Sequence, residues 1–326
     1  MDWIMINIKD EINNILEEIR KVSQGEEIVV AFSGGLDSTV VSALAIQALG
    51  REKVEAITVS FEEYSYSKGL RNVQDISKAL DLTLKIIQGK REQERVLKKG
   101  PACNKCTRIA KLGRVKREAQ GRLVLTGSNQ SDTWGKRGLK LYDGFYAPLL
   151  ELNKEEIRKI ADYFGIKILQ IGESKFREGC KLKHLLKPLA VPHYHGKAAV
   201  ETNELLLSVL EEEGYESILA NVKIIGPLNK NIGLVNVSPL PEEKLKEKII
   251  DELKKVKALE QVDFLNKPIK LIVKANKGQF DNQRSRYWLE KGRLQPDFSV
   301  PIEVEWLLTT NKSLSTFQVI DYQIIA

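Results

Sequence analysis

The chain has 326 residues, with 51 lysines and arginines against 44 aspartates and glutamates, a formal net charge of +7, 42% hydrophobic residues and 29% charged residues. This balance excludes a disordered chain, the length accommodates about two domains of roughly 100–200 residues, and no apolar run approaches the ~20 residues of a membrane-spanning helix. The positive surplus suits acidic partners such as ATP, tRNA or phosphorylated small molecules, or else a lysine-rich surface with no partner.

In chain order, Met1–Val22 spaces isoleucines among Asp2, Lys9, Asp10, Glu11, Glu17 and Glu18. This is an amphipathic-helix pattern without the charge-then-apolar order of a signal peptide, so the expectation is a cytoplasmic protein with no membrane association. Strand and helix signals then alternate, with strands at 28–32, 54–59, 83–87, 122–126 and, briefly, 167–169. Helices fall between them at 38–49, 68–80, 107–120 and 154–164. The alternation predicts an α/β fold, a doubly wound parallel sheet whose ligands lie at the carboxyl ends of the strands. Ser33, Ser60 and Gly127 fall at such ends. Pro188–Pro192 reads as a linker that divides a first domain, 1–188, from a second, 196–326. The second shows a helix at 200–213, strands at 217–225 and 233–237, a helix at 241–256 and a short strand at 262–264. Further β signals fall at 269–274, 302–308 and 317–322, so a smaller α+β domain is expected.

The chemistry is densest at Ala31-Phe32-Ser33-Gly34-Gly35-Leu36-Asp37-Ser38-Thr39, where an apolar strand passes through two glycines into an apolar helix. Paired glycines let backbone N–H groups approach an anion, and the helix N-terminus adds unpaired donors and the positive end of its dipole. Ser33, Ser38 and Thr39 supply hydroxyls, and Asp37 is a carboxylate able to hold Mg²⁺ beside phosphate. The Lys-Ser/Thr end of the G-x-x-x-x-G-K-[ST] loop is missing, as is G-x-G-x-x-G. Ser-Gly-Gly-Leu-Asp-Ser-Thr resembles the PP-loop of ATP pyrophosphatases (adenine nucleotide α-hydrolase-like proteins). The resemblance implies that the loop grips pyrophosphate while AMP is transferred to a substrate oxygen.

Thr126-Gly127-Ser128-Asn129-Gln130-Ser131-Asp132 follows another apolar strand. Gly127 permits close backbone approach to ribose or phosphate, and Asp132 is a second candidate for Mg²⁺. Arg137 is a candidate for neutralising phosphate charge. Lys154 and Arg158 open the next helix as a charged i,i+4 pair.

The three cysteines, Cys103 and Cys106 in Cys-x-x-Cys and the distant Cys180, cannot pair completely. In a cytosolic chain this pattern reads as metal-binding or redox-active. Three thiolates are one short of a closed zinc site and suit a [4Fe-4S] cluster with one open iron; a persulfide, zinc or buried structural thiols are the alternatives. Both places are loops able to reach a cleft at the strand ends. His184, four residues after Cys180, is a possible fourth ligand, whereas His193 and His195 flank the proline-rich segment and are expected on its surface.

Together with the PP-loop, the cysteines resemble PP-loop sulfurtransferases that carry a three-cysteine [4Fe-4S] cluster, namely the ATP-dependent sulfur insertases of nickel-pincer nucleotide maturation and, more distantly, tRNA thiolases. Ala147-Pro148-Leu149-Leu150-Glu151, with Arg137-Gly138 before it, also matches the insertases, as does the Lys154-x-x-x-Arg158 helix start, for which ordinary surface charges are the alternative; Ser128 and Ser131 depart from the Thr-Gly-His-Asn-x-Asp-Asp run of the thiolases. The resemblance implies adenylation of a substrate oxygen, release of pyrophosphate and replacement of AMP by sulfur held on the cluster. It assigns catalytic roles to Asp37, Cys103, Cys106 and Cys180. It places ATP against 31–39, Ser60, Gly127, Asn129, Asp132 and Arg137. The substrate is a small molecule or a tRNA nucleoside, sulfide or another donor brings the sulfur, and a homo-oligomer is expected. An ammonia-using PP-loop synthetase without a cluster is the alternative within enzymes; a nucleotide-binding RNA module is the alternative outside them. In residues 266–326, Arg284, Arg286, Tyr287, Trp288, Lys291 and Arg293 interleave cations with aromatics, either a base-stacking patch or a packed strand with outward-reaching basic side chains.

Overall fold

The computed structural model describes residues 2–131, 139–167 and 179–325. The chain forms two compact units. The first comprises Met1–Ser60, Ser67–Gly89 and Arg108–Leu169, and the second Phe61–Tyr66, Lys90–Thr107 and Gln170–Ala326.

In the first unit, β1 (Ile28–Ala31) is an apolar run buried on both faces, as a central parallel strand must be. It pairs in parallel with β2 (Val54–Ser60) from Ile28↔Val54 to Ala31↔Ile57, and with β4 (Leu123–Leu125) from Ile28↔Leu123 to Val30↔Leu125. β3 (Thr83–Gln88) lies outside β2, and a hairpin of β5 (Leu141–Tyr142) and β6 (Phe145–Tyr146) continues the sheet beyond β4. The order is β3-β2-β1-β4-β6-β5, parallel except for β5.

Helices cover both faces of this sheet. On one face, Val40, Val41, Leu44 and Ala45 of α2 (Leu36–Leu49) pack among Ile12, Ile15, Leu16 and Ile19 of α1 (Asp2–Ser23) and Ile157 and Ile160 of α7 (Lys154–Tyr163). On the other, Val115 and Ala119 of α6 (Gly113–Ala119) meet Val29, Ile57, Ile87 and Val124. Each fully buried Leu, Ile or Val side chain contributes about 1.5–3 kcal/mol relative to exposure. α3 (Ser67–Ala79) packs on β2 and β3. The doubly wound parallel sheet is as the alternation predicted, with the hairpin as an addition that its two-residue strands did not announce.

The second unit contains α4 (Lys90–Leu97), α5 (Cys103–Cys106), α8 (Lys197–Glu212) and α9 (Glu243–Leu253). Its first sheet has the order β7-β8-β9, with β7 (Leu219–Ile225) antiparallel to β8 (Ile232–Ser238) and β9 (Gln261–Phe264) parallel to β8. Its second sheet has the order β11-β10-β12, in which β10 (Ile269–Ala275) runs parallel to β11 (Ile302–Leu308) and antiparallel to β12 (Phe317–Ile324). Leu186, Ile225, Leu234, Leu271, Val273, Leu294 and Phe317 share one core here. Asn203 ties α8 to β7, donating to Val222 O at 3.0 Å and accepting from Val222 N at 2.9 Å.

Three local expectations are revised. Segment 284–293 is no strand: α10 (Lys277–Phe280) and α11 (Gln283–Leu289) run into a π turn, Glu290–Leu294. The Asn282 side chain accepts from Ser285 N at 2.8 Å and starts α11, a local cap that outweighs the strand preference of Tyr and Trp. His195 is fully buried rather than on a linker surface, while His193 is exposed. Finally, Pro188–Pro192 lies inside the second unit and marks no boundary between units. The chain passes from one unit to the other at Ser60 and Gly89, the carboxyl ends of β2 and β3, so no single cut separates them. Of the short strand expected at 167–169, only Lys167 is described, and it is not in a strand. No helix among the described residues is long and apolar enough to cross a membrane.

Candidate functional site

The order β3-β2-β1-β4 means that the chain leaves β1 in one direction and returns on its other side. β1 and β4 therefore flank the switch point, where the following loops splay apart and leave a crevice. The loop after β1 contains Ser33–Gly35, and the loop after β4 contains Thr126–Asn129. Sheet order alone thus brings the two stretches together.

Gly34 adopts φ +69, and a Cβ there would come within 2.9 Å of Val73 Cγ2, so both conformation and space require glycine. Asn72 of α3 donates to Gly34 O at 3.2 Å and holds the turn. Gly35 is the N-cap of α2, and no side chain caps this end. The hydroxyls brace the loop: Ser33 N donates to Ser38 Oγ at 3.2 Å, Ser38 Oγ donates to Gly35 O at 3.1 Å, and Thr39 Oγ1 donates to Gly35 O at 2.9 Å. Ser38 and Thr39 are buried, so their part in this arrangement is to shape the cradle. The first-turn N–H groups and the dipole then face the position an anion would take.

Asp37 sits at the centre of the cluster. Its Oδ2 accepts from Asn129 Nδ2 at 3.1 Å and from Lys154 Nζ. Its Oδ1 is buried and has no hydrogen-bond partner among the described residues. A buried carboxylate oxygen without a partner costs free energy unless a ligand completes it. Gly127 makes room for this group: a Cβ there would lie 2.8 Å from Asp37 Cβ and 2.9 Å from Ser38 N. Asn129 is fully buried and also donates to Gly127 O at 3.2 Å. These features fit a divalent cation beside phosphate, with Asp37 as its protein ligand.

Lys154, which the sequence left between a family-type helix start and a plain surface charge, lies in the site. A cation in the first turn opposes the dipole of α7, and that end is already capped by Asn153 and Glu156 in a reciprocal capping box. Its placement is explained by its ion pair with Asp37. The clue in the sequence was a lysine where a helix start favours acids.

Ala31, Phe32, Leu36 and Ser60 belong to the same unit as the loop, with Ser60 buried at the carboxyl end of β2. Asp132 and Arg137 lie outside the described residues.

The cysteines all belong to the second unit. Cys106 is buried, and Cys103 and Cys180 are half-buried. Arg293 Nη2 donates to Cys103 Sγ at 3.2 Å, and Gln93 Nε2 donates to Cys180 Sγ at 3.2 Å. Among the described residues, no group of three or more Cys, His, Asp or Glu is arranged to hold a metal ion. The three-thiolate [4Fe-4S] site expected from the sequence is therefore not supported among the described residues. His184 is committed elsewhere. Lys223 Nζ, which can only donate, lies 2.9 Å from its Nδ1, so Nε2 carries the proton toward Tyr66 Oη at 3.2 Å. Lys223 also pairs with Asp297 Oδ2 at 2.9 Å. Burial alone would raise the Asp297 carboxyl, but the charges of Lys223 and Lys183 outweigh it and hold the group below the usual carboxylate range.

Comparison with known proteins agrees with the first unit. The NH₃-dependent NAD⁺ synthetase of Pyrococcus furiosus is 26% identical over 171 residues, 49% of this chain and 65% of that protein. That of Pyrococcus horikoshii is 30% identical over 167 residues, covering 48% and 63%. A glutamine-hydrolysing GMP synthase of Nitratidesulfovibrio vulgaris is 28% identical over 197 residues, 51% of this chain and 36% of that protein. The chain thus spans less than two thirds of the length of each of these relatives. The match to the NAD synthase family runs over residues 7–171 and takes in the Ser33–Thr39 loop, Gly127, Asn129 and Lys154. The chain belongs to the NAD synthase family of PP-loop ATP pyrophosphatases.

Proposed function

We propose that this chain splits ATP between its α and β phosphates to adenylate a substrate oxygen, and that ammonia then displaces AMP to form a C–N bond. The observation that carries the reading is the buried, unpartnered Asp37 Oδ1 beside an uncapped helix N-terminus, at the switch point of a sheet in the NAD synthase family. A substrate carboxylate attacks the α-phosphorus, a C–O–P link forms, and the bond to pyrophosphate breaks. The α2 N-terminus, the Ser33–Gly35 backbone and Lys154 receive the charge of the departing pyrophosphate. Mg²⁺, held by Asp37, would share that charge. Ammonia then attacks the activated carbon, loses a proton, and AMP leaves with the oxygen. The relatives named NH₃-dependent NAD⁺ synthetases make a small carboxylate the first acceptor to test.

A second reading replaces ammonia by sulfide or another sulfur donor, acting on a small molecule or a tRNA nucleoside. It is favoured by Cys103, a half-buried thiol whose Sγ accepts from Arg293 Nη2 at 3.2 Å. No step is assigned to an iron–sulfur cluster.

Purified chain with Mg-ATP and the carboxylic precursor of NAD⁺ is assayed for pyrophosphate and AMP, with ammonium or with sulfide under argon. The proposal expects ammonium-dependent turnover that survives replacement of Cys103, Cys106 and Cys180 by serine. Turnover that needs sulfide and is lost with the thiols would replace it by the sulfur reading. Absence of pyrophosphate with either nucleophile, across carboxylate and tRNA acceptors, would end both.

A further inference from the structure

We infer that the outer face of α11 is a binding surface for single-stranded nucleic acid. Tyr287 and Trp288 are 56% and 55% exposed, and their rings form an edge-to-face pair with centroids 5.6 Å apart. The core side of the same helix is filled by Leu289, and Leu294 continues it. The two aromatics are more than half exposed and lie outside that core. A single exposed ring is ordinary, but adjacent ones between cations are not.

Arg284 and Lys291 flank the rings on the exposed side. Seven residues at 1.5 Å each separate these two cations by about 10 Å along the helix. Among the described residues neither has an ion-pair partner. The neighbouring acids are engaged: Glu290 accepts from Trp306 Nε1, and Asp281 pairs with Lys277 at 3.0 Å. Arg286 turns over the Phe280 ring at 5.5 Å and Arg293 over the Phe317 ring at 5.3 Å, so neither belongs to the stripe.

The result is two aromatic faces between two unpaired cations. Unstacked bases fill the aromatic positions and phosphates the cationic ones, and every base has a face to offer, so no sequence preference is expected. The net charge of +7 adds a long-range attraction for the same ligand. This surface makes no use of the ATP site, and its test is independent of turnover.

Fluorescence anisotropy of labelled oligo(U) and oligo(dT) is measured on the full chain between about 50 and 200 mM salt. Binding is expected, with RNA and DNA arms of similar strength if stacking and phosphate contacts dominate, and a stronger RNA arm if the 2′-hydroxyl is read. Y287A and W288A each weaken binding about 5- to 150-fold, the effect of losing one stacked base. R284A with K291A lowers the salt slope by about 1.4, two phosphates at roughly 0.7 each. Thermal midpoints of the variants show whether the fold is intact. No binding at low salt, binding unchanged in W288A, equal binding of an acidic peptide, or a change in oligomeric state on W288A would each overturn the inference.

Discussion

Gly127→Ala probes the meeting of the two loops at the switch point. The added Cβ would stand 2.8 Å from Asp37 Cβ, 2.9 Å from Ser38 N and 3.0 Å from Asp37 C, short of ordinary contact at 3.4 Å by roughly 0.6 Å. Two of the three neighbours are backbone atoms, so no side-chain rotation relieves the clash. Neither flank retreats easily. Thr126 N is held by Tyr146 O at 2.9 Å, and α2 is anchored by Val40, Val41 and Leu44, all fully buried. Overpacking of this kind costs about 1–3 kcal/mol. At about 2–4 °C per kcal/mol for a unit of this size, the thermal midpoint falls by about 2–12 °C. Under the proposed function the displaced Ser38 N–H would also lose a bond to the phosphate of bound ATP. A hydrogen bond to a charged group is worth about 1.5–3 kcal/mol, so Mg-ATP affinity falls about 10- to 150-fold. Calorimetric titration with Mg-ATP and a thermal melt read both effects. Gly278→Ala is the control, because its Cβ would meet only Asn276 Oδ1 at 3.8 Å. If Gly127→Ala bound Mg-ATP as tightly as the parent and melted at the same temperature, the placement of Asp37 against this loop would be wrong.

Asn153→Ala removes the cap of α7 and its reciprocal bond with Glu156; it lowers stability by about 0.5–2 kcal/mol in a denaturant titration and loosens Lys154 from Asp37. Lys187 is buried and donates to Pro227 O, Lys230 O and Asn231 Oδ1, and desolvation lowers its pKa to about 8. The unfolded chain, with a lysine near about 10.4, holds more protons between about pH 8 and 10.4, so stability rises with pH there, and Lys187→Met lacks that rise in melts across the window. Asp297→Asn leaves Lys223 buried without its carboxylate and costs about 3–5 kcal/mol near neutral pH. Because the folded carboxyl lies below its unfolded value, its contribution is present above about pH 4 and lost below, so the gap between parent and variant narrows as pH falls through that value.

Much of the first unit was legible locally. Val29 and Val30 lie in an uninterrupted apolar run that only a central parallel strand buries, and Ser33-Gly34-Gly35 before Asp37 can serve little besides an anion at a helix start. These are short-range matters of backbone freedom, side-chain period and helix-end chemistry, which neighbouring residues decide among themselves. Tertiary structure alone decided the rest. Lys154 reaches Asp37 across 117 positions because β1 and β4 are adjacent while α7 follows much later, which no spacing rule encodes. The cysteines looked like one set because they share a residue type. Yet Cys103 and Cys180 accept from Arg293 and Gln93, contacts 190 and 87 residues distant in the chain, and among the described residues no group of three is arranged to hold a metal ion. His184 resembled a ligand by its spacing from Cys180 but turned inward, because Lys223 on β7 buries a charge that must be paired and hydrogen-bonded. Sequence sets what a residue can donate, accept or carry; packing across long separations decides which partner it meets.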